Sequence, residues 1–177
     1  MEVLRTIKMY ADSHDMNFIV IGGHAINSYG LSRQTGDIDL LVDRAQSEQW
    51  HSLLENLDYR SGQKDERFAR YRSAQIAAWP IDLMFVDGKT FTTMYQESSA
   101  AKIGIAQVQV VSARHLVTLK IHALKHFQEH RYLKDFNDVV GLLRSGKAVL
   151  RSDELLALCV KYANEELFKK IQDALPT

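Results

Sequence analysis

The sequence predicts an α/β (α+β) fold, in which a mixed, twisted sheet of about five strands carries flanking helices and is followed by a helical C-terminal third. Short apolar runs rich in β-branched residues recur through the first 111 residues and indicate strands. Segments with apolar residues three and four positions apart separate these runs and indicate helices. After residue 111 only the helical spacing occurs, so the sheet is expected to lie entirely in the N-terminal part.

The individual elements of the N-terminal part follow from these two spacings. We predict strands at residues 17–21, 37–43, 68–72, 81–86 and 108–111, and helices at residues 3–14, 24–29 and 45–57. Apart from the strand at 68–72, residues 59–78 give no clear pattern. Asp87-Gly88, directly after the fourth strand, is typical of a tight turn.

The spacing of apolar residues predicts four helices in the C-terminal part. Ser112 is the predicted N-cap of a long helix that runs to about His130, and Ser152 is the predicted N-cap of a later one. The remaining two helices are predicted at residues 132–143 and 164–175. The chain contains two prolines and no linker-like segment, so residues 1–111 are expected to form a core on which residues 112–177 pack as one compact unit.

Composition excludes several classes of function. The chain has 22 Lys and Arg against 22 Asp and Glu, so no overall field attracts a nucleic acid and a DNA-binding regulator is disfavoured. Its single cysteine, Cys159, cannot form an intrachain disulfide, which fits a reducing compartment. No apolar run approaches a signal peptide or a membrane span. We therefore expect a soluble, cytoplasmic protein that does not bind a membrane.

Three acidic residues stand on the predicted strands. Asp37 and Asp39 are two positions apart, so their side chains project from the same face of the strand. Two like charges there repel each other, and a divalent cation between them would remove the repulsion. Asp82 lies within the apolar strand 81–86 and also needs a partner. Two other interpretations stay open: a strand end that exposes two acids to water, and a structural role for Asp82.

Gly22-Gly23 stands between the first strand and a short predicted helix. Glycine lets the backbone approach a ligand closely, and the first turn of a helix offers unpaired N–H groups to an anion such as phosphate. A tight turn without a ligand is the alternative interpretation of the same pair.

Taken together, these residues resemble the nucleotidyltransferase superfamily that includes DNA polymerase β-like and antibiotic-modifying enzymes. The resemblance rests on Ile21-Gly22-Gly23, thirteen intervening residues, Asp37-Ile38-Asp39-Leu40, and then Ile81-Asp82-Leu83. Within the spacer, Arg33-Gln34-Thr35-Gly36 is similar to a run that often precedes the paired acids of such enzymes.

The resemblance implies a role for each of these residues. Asp37, Asp39 and Asp82 would bind two Mg²⁺ ions that hold a nucleoside triphosphate, and Asp82 would also help to deprotonate the acceptor hydroxyl. Gly22 and Gly23 would present backbone N–H groups to the triphosphate. Arg33 and Thr35 would be further contacts to the phosphates. Residues 1–111 would then be the catalytic core.

Lys120 is a further candidate for nucleotide binding. Helical spacing places it in the middle of the apolar face of the helix that follows Ser112, where an ammonium group needs an anionic partner. That partner is either a phosphate of the nucleotide or an acid of the next helix, Asp135 or Asp138. Residues 116–143 also resemble the toxin-type nucleotidyltransferases of bacterial abortive-infection systems, and this resemblance favours the phosphate.

The resemblance leaves the acceptor open. One branch transfers the nucleotide to RNA, such as a tRNA end, or to a protein; this toxin-like branch adds a cognate antitoxin to the candidate partners. The other branch modifies a small molecule such as an antibiotic. A non-catalytic, nucleotide-binding or antitoxin-like protein is the rival class. The three acids, which are costly to keep on apolar strands, favour an enzyme.

Overall fold

The structure is a computed structural model that describes residues 2–75, 78–125 and 129–176. Contacts divide the chain into two compact units, residues 1–111 and residues 112–177. Within the described residues, the first unit contains the whole sheet and the second contains only helices.

In the first unit the described residues form seven strands and four α-helices. The strands are β1 Phe18–Val20, β2 Ile38–Asp43, β3 Tyr59–Lys64, β4 Phe68–Ser73, β5 Ile81–Val86, β6 Ser99–Ile103 and β7 Ala106–Val110. The helices are α1 Glu2–Ser13, α2 Gly22–Ser28, α3 Ser47–Asn56 and α4 Gly88–Gln96, and a short 3₁₀ helix, Arg44–Gln46, precedes α3.

The seven strands form one mixed sheet in the order β3-β4-β5-β2-β1-β7-β6. The pairs β2–β5 and β1–β7 are parallel, and the other four pairs are antiparallel. The mixed α/β architecture predicted from the sequence is confirmed.

Two of the seven strands, β3 and β6, were not predicted. They are the two edge strands of the sheet, and most of their side chains are exposed. A strand that faces solvent needs neither an apolar run nor a regular apolar alternation, so the hydrophobic pattern does not reveal it.

The prediction of a turn at Asp87-Gly88 was wrong, because helix α4 begins there. The Asp87 carboxylate accepts hydrogen bonds from the backbone N–H and the hydroxyl of Thr90, at 3.0 and 2.7 Å. Asp is favoured at helix N-caps as well as in turns, so the dipeptide alone does not distinguish the two.

The central strand β2 has an apolar face, and a second face that we call polar because it carries Asp39 and Asp43 on either side of the buried Leu41. Ile38, Leu40 and Val42 have no exposed surface and alternate with Asp39, which is half-buried. On the apolar face, His51 of α3 hydrogen-bonds the hydroxyl of Tyr71 on β4. Helix α3 therefore packs on the face opposite to Asp39.

The second unit consists of α5 Ala113–Leu124, α6 Glu129–Arg144, α7 Ser152–Tyr162 and α8 Glu165–Ala174. None of the helices in the described ranges combines the length and the apolarity needed to cross a lipid bilayer.

Two helix boundaries in this unit differ from the predicted ones. The helix capped by Ser112 ends at Leu124, earlier than the predicted end near His130; residues 126–128 of the predicted helix lie outside the described residues. The N-cap of α7 is Arg151, one residue before Ser152; the Glu154 carboxylate accepts a hydrogen bond from the Arg151 N–H at 3.0 Å.

Candidate active site

The three predicted acids converge at the polar face of the sheet. Strands β2 and β5 pair in parallel with Asp39 directly opposite Asp82, so both side chains project from the same face. Asp37 precedes the first residue of β2 and lies on the same face as Asp39. One carboxylate oxygen of each residue lies within 4.8 Å of the other two. We call Asp37, Asp39 and Asp82 the acidic cluster.

The acidic cluster is buried on one side and open on the other. Asp82 is 5% exposed, whereas Asp37 and Asp39 are half-buried. Mg²⁺ binds oxygens at about 2.0–2.1 Å, which places two opposite ligands of one ion about 4.2 Å apart. Oxygens within 4.8 Å of one another therefore need to move by less than about 1 Å to share an ion. The hard oxygen donors and their spacing fit a magnesium site.

Arg70 on β4 is the residue that pairs with Asp82. The two stand opposite each other in the antiparallel β4–β5 register. The guanidinium donates two hydrogen bonds, from Nε to Oδ1 at 2.7 Å and from an Nη to Oδ2 at 2.5 Å. These bonds raise the pKa of Arg70; burial opposes the effect, and the charges of Asp82, Asp37 and Asp39 add to it.

Arg70 was not predicted as a site residue, although the sequence contains a signal for it. Strand 68–72 was predicted, and alternation along it places Arg70 on the face opposite to Tyr71, which is buried. The pairing of β4 with β5, which brings Arg70 to Asp82, could not be predicted from the sequence.

Gly22 forms the strand-to-helix turn directly against the acidic cluster. Its φ is +64°, a backbone conformation that residues other than glycine rarely adopt. A Cβ at this position would lie 1.9 Å from Oδ2 of Asp39. Both the backbone angle and the space therefore require glycine, and the start of helix α2 lies in contact with the cluster.

The other predicted phosphate contacts lie around Gly23. A Cβ on Gly23 would lie 2.2 Å from a guanidinium nitrogen of Arg33 and 2.6 Å from the hydroxyl of Thr35. The Asn27 amide fixes the Arg33 backbone with two hydrogen bonds of 2.8 and 2.9 Å. The Thr35 hydroxyl donates to the Asp37 carboxylate at 3.0 Å. The structure thus brings Gly22, Gly23, Arg33 and Thr35 to the acidic cluster.

Lys120 lies on α5, in the second unit. Its ammonium is 2.5 Å from Oδ1 of Asp135 and 3.0 Å from Oδ2 of Asp138. All three side chains are less than one-tenth exposed. The acids of the next helix are therefore the partners observed for Lys120, and a phosphate contact stays a prediction.

A family model described as an uncharacterised nucleotidyltransferase matches residues 29–171. The chain belongs to this nucleotidyltransferase family. The match contains the acidic cluster, Arg33, Thr35 and Arg70, whereas Gly22 and Gly23 precede it. A comparison with curated proteins returns no match.

Solved structures share the fold of this nucleotidyltransferase. ANT(2")-Ia in complex with adenylyl-2"-tobramycin has a TM-score of 0.62 and 14% identity, over 97% of this chain and 96% of that chain. An antigenic nucleotidyltransferase-like protein from Paracoccidioides brasiliensis has a TM-score of 0.58 and 16% identity, over 97% and 84%. The lincosamide adenylyltransferase LnuA, bound to lincomycin, has a TM-score of 0.56 and 13% identity, over 77% and 93%. The predicted family is confirmed; the kinship with abortive-infection toxins stays a prediction.

Proposed function

We propose that the protein transfers a nucleoside monophosphate from a nucleoside triphosphate to a hydroxyl acceptor at the acidic cluster. The observation that carries this proposal is the convergence of Asp37, Asp39 and Asp82 within 4.8 Å, with the glycine turn of α2 directly against Asp39. A turn this close to the acids would let one triphosphate contact both the bound cations and the first N–H groups of α2.

Each residue of the site has a proposed role. Asp37 and Asp39 would hold two Mg²⁺ ions, with Asp82 as the third ligand. The bound ions would supply positive charge to the triphosphate and to the attacking and leaving oxygens. Asp82 accepts the proton of the acceptor hydroxyl.

The triphosphate is proposed to bind at the start of α2. Gly22 and Gly23 offer backbone N–H groups, which have no partner within the first turn of a helix. The guanidinium of Arg33 and the hydroxyl of Thr35 lie against Gly23 and are the proposed side-chain contacts. Lys120 is retained as a proposed nucleotide contact on the strength of the resemblance; its observed partners are two carboxylates.

Two classes of acceptor are proposed: an RNA end or a protein hydroxyl, as in toxin-like enzymes, and a small molecule. ANT(2")-Ia is described with adenylyl-2"-tobramycin and LnuA with lincomycin, which is the reason to include aminoglycosides and lincosamides among the acceptors tested. The equal numbers of acidic and basic residues disfavour a large RNA footprint.

The test is a transfer assay with matched variants. Wild-type protein is incubated with each labelled NTP, Mg²⁺, and total tRNA, cell protein or antibiotics, and the labelled product is identified. Asp39→Asn is expected to abolish transfer. Asp43→Asn is the control, because Asp43 lies on the same strand and its role, accepting a hydrogen bond from the Ala45 N–H, is one that Asn retains. Wild-type transfer by Asp39→Asn would refute the metal assignment.

The assay also separates the competing classes. Failure of the wild type to label any acceptor, with NTP binding intact, would favour a non-catalytic nucleotide-binding protein. For the toxin-like branch, induced expression in a bacterial host is expected to arrest growth with the wild type and with Asp43→Asn but not with Asp39→Asn. Arrest that persists in Asp39→Asn would contradict a toxin based on nucleotidyl transfer, and the search for a cognate antitoxin would lose its basis.

A further inference from the structure

The contact between Arg70 and Asp82 has no place in the roles proposed above. In it, the Arg70 guanidinium already binds Asp82, one of the three proposed metal ligands. We infer that Arg70 is a positioning residue with two separable effects. Its charge sets the affinity of the acidic cluster for divalent cations, and the two parallel hydrogen bonds of its guanidinium fork fix the orientation of the Asp82 carboxylate. This inference rests on the proposed metal site.

The first effect follows from charge. The three carboxylates of the acidic cluster carry three negative charges within a few ångströms, and the Arg70 guanidinium, bonded to Asp82, offsets one of them. Asp37 and Asp39 each have a carboxylate oxygen within 4.8 Å of one on Asp82, so the charge of Arg70 acts on the whole cluster. A cation entering the cluster is attracted by the carboxylates and repelled by Arg70.

The second effect follows from geometry. The fork of Arg70 bonds one lone pair on each oxygen of Asp82 and leaves the other lone pairs for further partners. The antiparallel register places the two residues opposite each other, and the guanidinium also lies 5.9 Å from the ring centroid of Phe68. Arg70 therefore has a fixed position from which to orient Asp82 towards Asp39 on the adjacent strand.

The burial of the pair agrees with this role. The Asp82 side chain is 6% exposed, whereas that of Arg70 is 33% exposed, so the acid depends on the arginine while the arginine still reaches water. A cation that binds at the open side of the cluster can thus add to the Arg70 contact without first displacing a buried side chain.

The test compares Arg70→Met and Arg70→Lys with the wild type, using Mn²⁺ as the probe of the nucleotide-free protein. Arg70→Met removes the charge, and we expect Mn²⁺ to bind at least about tenfold more tightly, as for loss of a unit charge about 6 Å from a divalent ion under water-like screening. Arg70→Lys keeps the charge but not the fork. We expect its Mn²⁺ affinity to stay within about threefold of wild type and its kcat to fall by an order of magnitude or more.

Arg72→Met is the matched control, because Arg72 lies two positions further along β4, on the same face, and is exposed. Its Mn²⁺ affinity and kcat are expected to equal those of the wild type. If Arg70→Met does not fold, as judged by circular dichroism, Arg70→Gln removes the same charge while keeping a donor for Asp82.

The outcomes distinguish this inference from the proposal beneath it. Unchanged or weaker Mn²⁺ binding by both neutral variants, with the wild type binding normally, would overturn the charge effect of Arg70 alone. Wild-type kcat in Arg70→Lys would overturn the orienting effect. Absence of Mn²⁺ binding in wild type and variants alike would overturn the metal site itself.

Discussion

Lys120 offers the sharpest single perturbation in the second unit. Lys120→Met keeps the apolar stem of the side chain and removes the ammonium that contacts Asp135 and Asp138 at 2.5 and 3.0 Å. The two carboxylates, 5% and 7% exposed, would lose this cation in a place that solvent hardly reaches. We expect the variant to be strongly destabilised in nucleotide-free buffer.

The magnitude can be worked out from this burial. Removing one partner of a buried ion pair costs about 3–5 kcal/mol, because the other charge stays buried. Unfolding entropy of about 2.1 cal/mol/K per residue gives roughly 0.37 kcal/mol/K for a chain of 177 residues. The expected fall in melting temperature is therefore about 8–13 °C.

Differential scanning calorimetry at pH 7 measures this shift. Lys170→Met is the matched control, because Lys170 pairs with Glu166 at 2.7 Å but both side chains are more than half exposed, so its melting temperature should barely change. Adding Asp135→Asn and Asp138→Asn to Lys120→Met removes the stranded charges and should recover most of the loss. A Lys120→Met protein that melts at or above the wild-type temperature would refute the structural ion pair and favour the phosphate role.

Three further predictions concern other parts of the molecule. Gly22→Ala should weaken Mn²⁺ binding at least about tenfold, because its Cβ would enter the acidic cluster, whereas Gly30→Ala, with φ +82° but open space, should only lower the melting temperature. Burial lowers the pKa of His51 below its usual 6.5, which favours the neutral imidazole in the folded protein. Its contribution to stability is present above pH 6.5 and is lost as the pH falls below that value, so the melting temperature measured from pH 7.5 to 5 should fall less in His51→Gln. Burial raises the pKa of the Cys159 thiol to about 11, so Ellman's reagent should modify it only after unfolding; rapid reaction of the native protein would contradict this burial.

Much of the first unit could be predicted because its strands are buried. Strands β2 and β5 are apolar runs interrupted by acids, and the interruptions are as visible in the sequence as the runs. Alternation along a strand then placed Asp37 and Asp39 on one face. The parallel register that sets Asp39 opposite Asp82 was not readable from either strand alone; the family resemblance implied only that the three acids share metal ions.

The parts that could not be predicted share a physical cause: they depend on which element lies next to which. Arg70 is one of many charged residues until β4 pairs with β5. The edge strands β3 and β6 bury little, so no apolar pattern marks them. The end of α5 at Leu124 is marked by no glycine or proline in the sequence, so the apolar spacing predicts a longer helix.

Asp82 and Lys120 are both charged residues among apolar ones in the sequence. Their surroundings in the structure differ. Lys120 and both of its carboxylates are less than one-tenth exposed, so the group is closed, and a ligand could reach it only by breaking buried contacts. Asp82 pairs with an arginine that is one-third exposed and adjoins two half-buried acids, so the same kind of ion pair has an open side. A buried charge can serve binding or catalysis only if some of its neighbours reach solvent, and that property belongs to the packed sheet rather than to the charged residue. This is why the buried acid of β5 is the better candidate for chemistry, and why the buried lysine is tested first as part of the core.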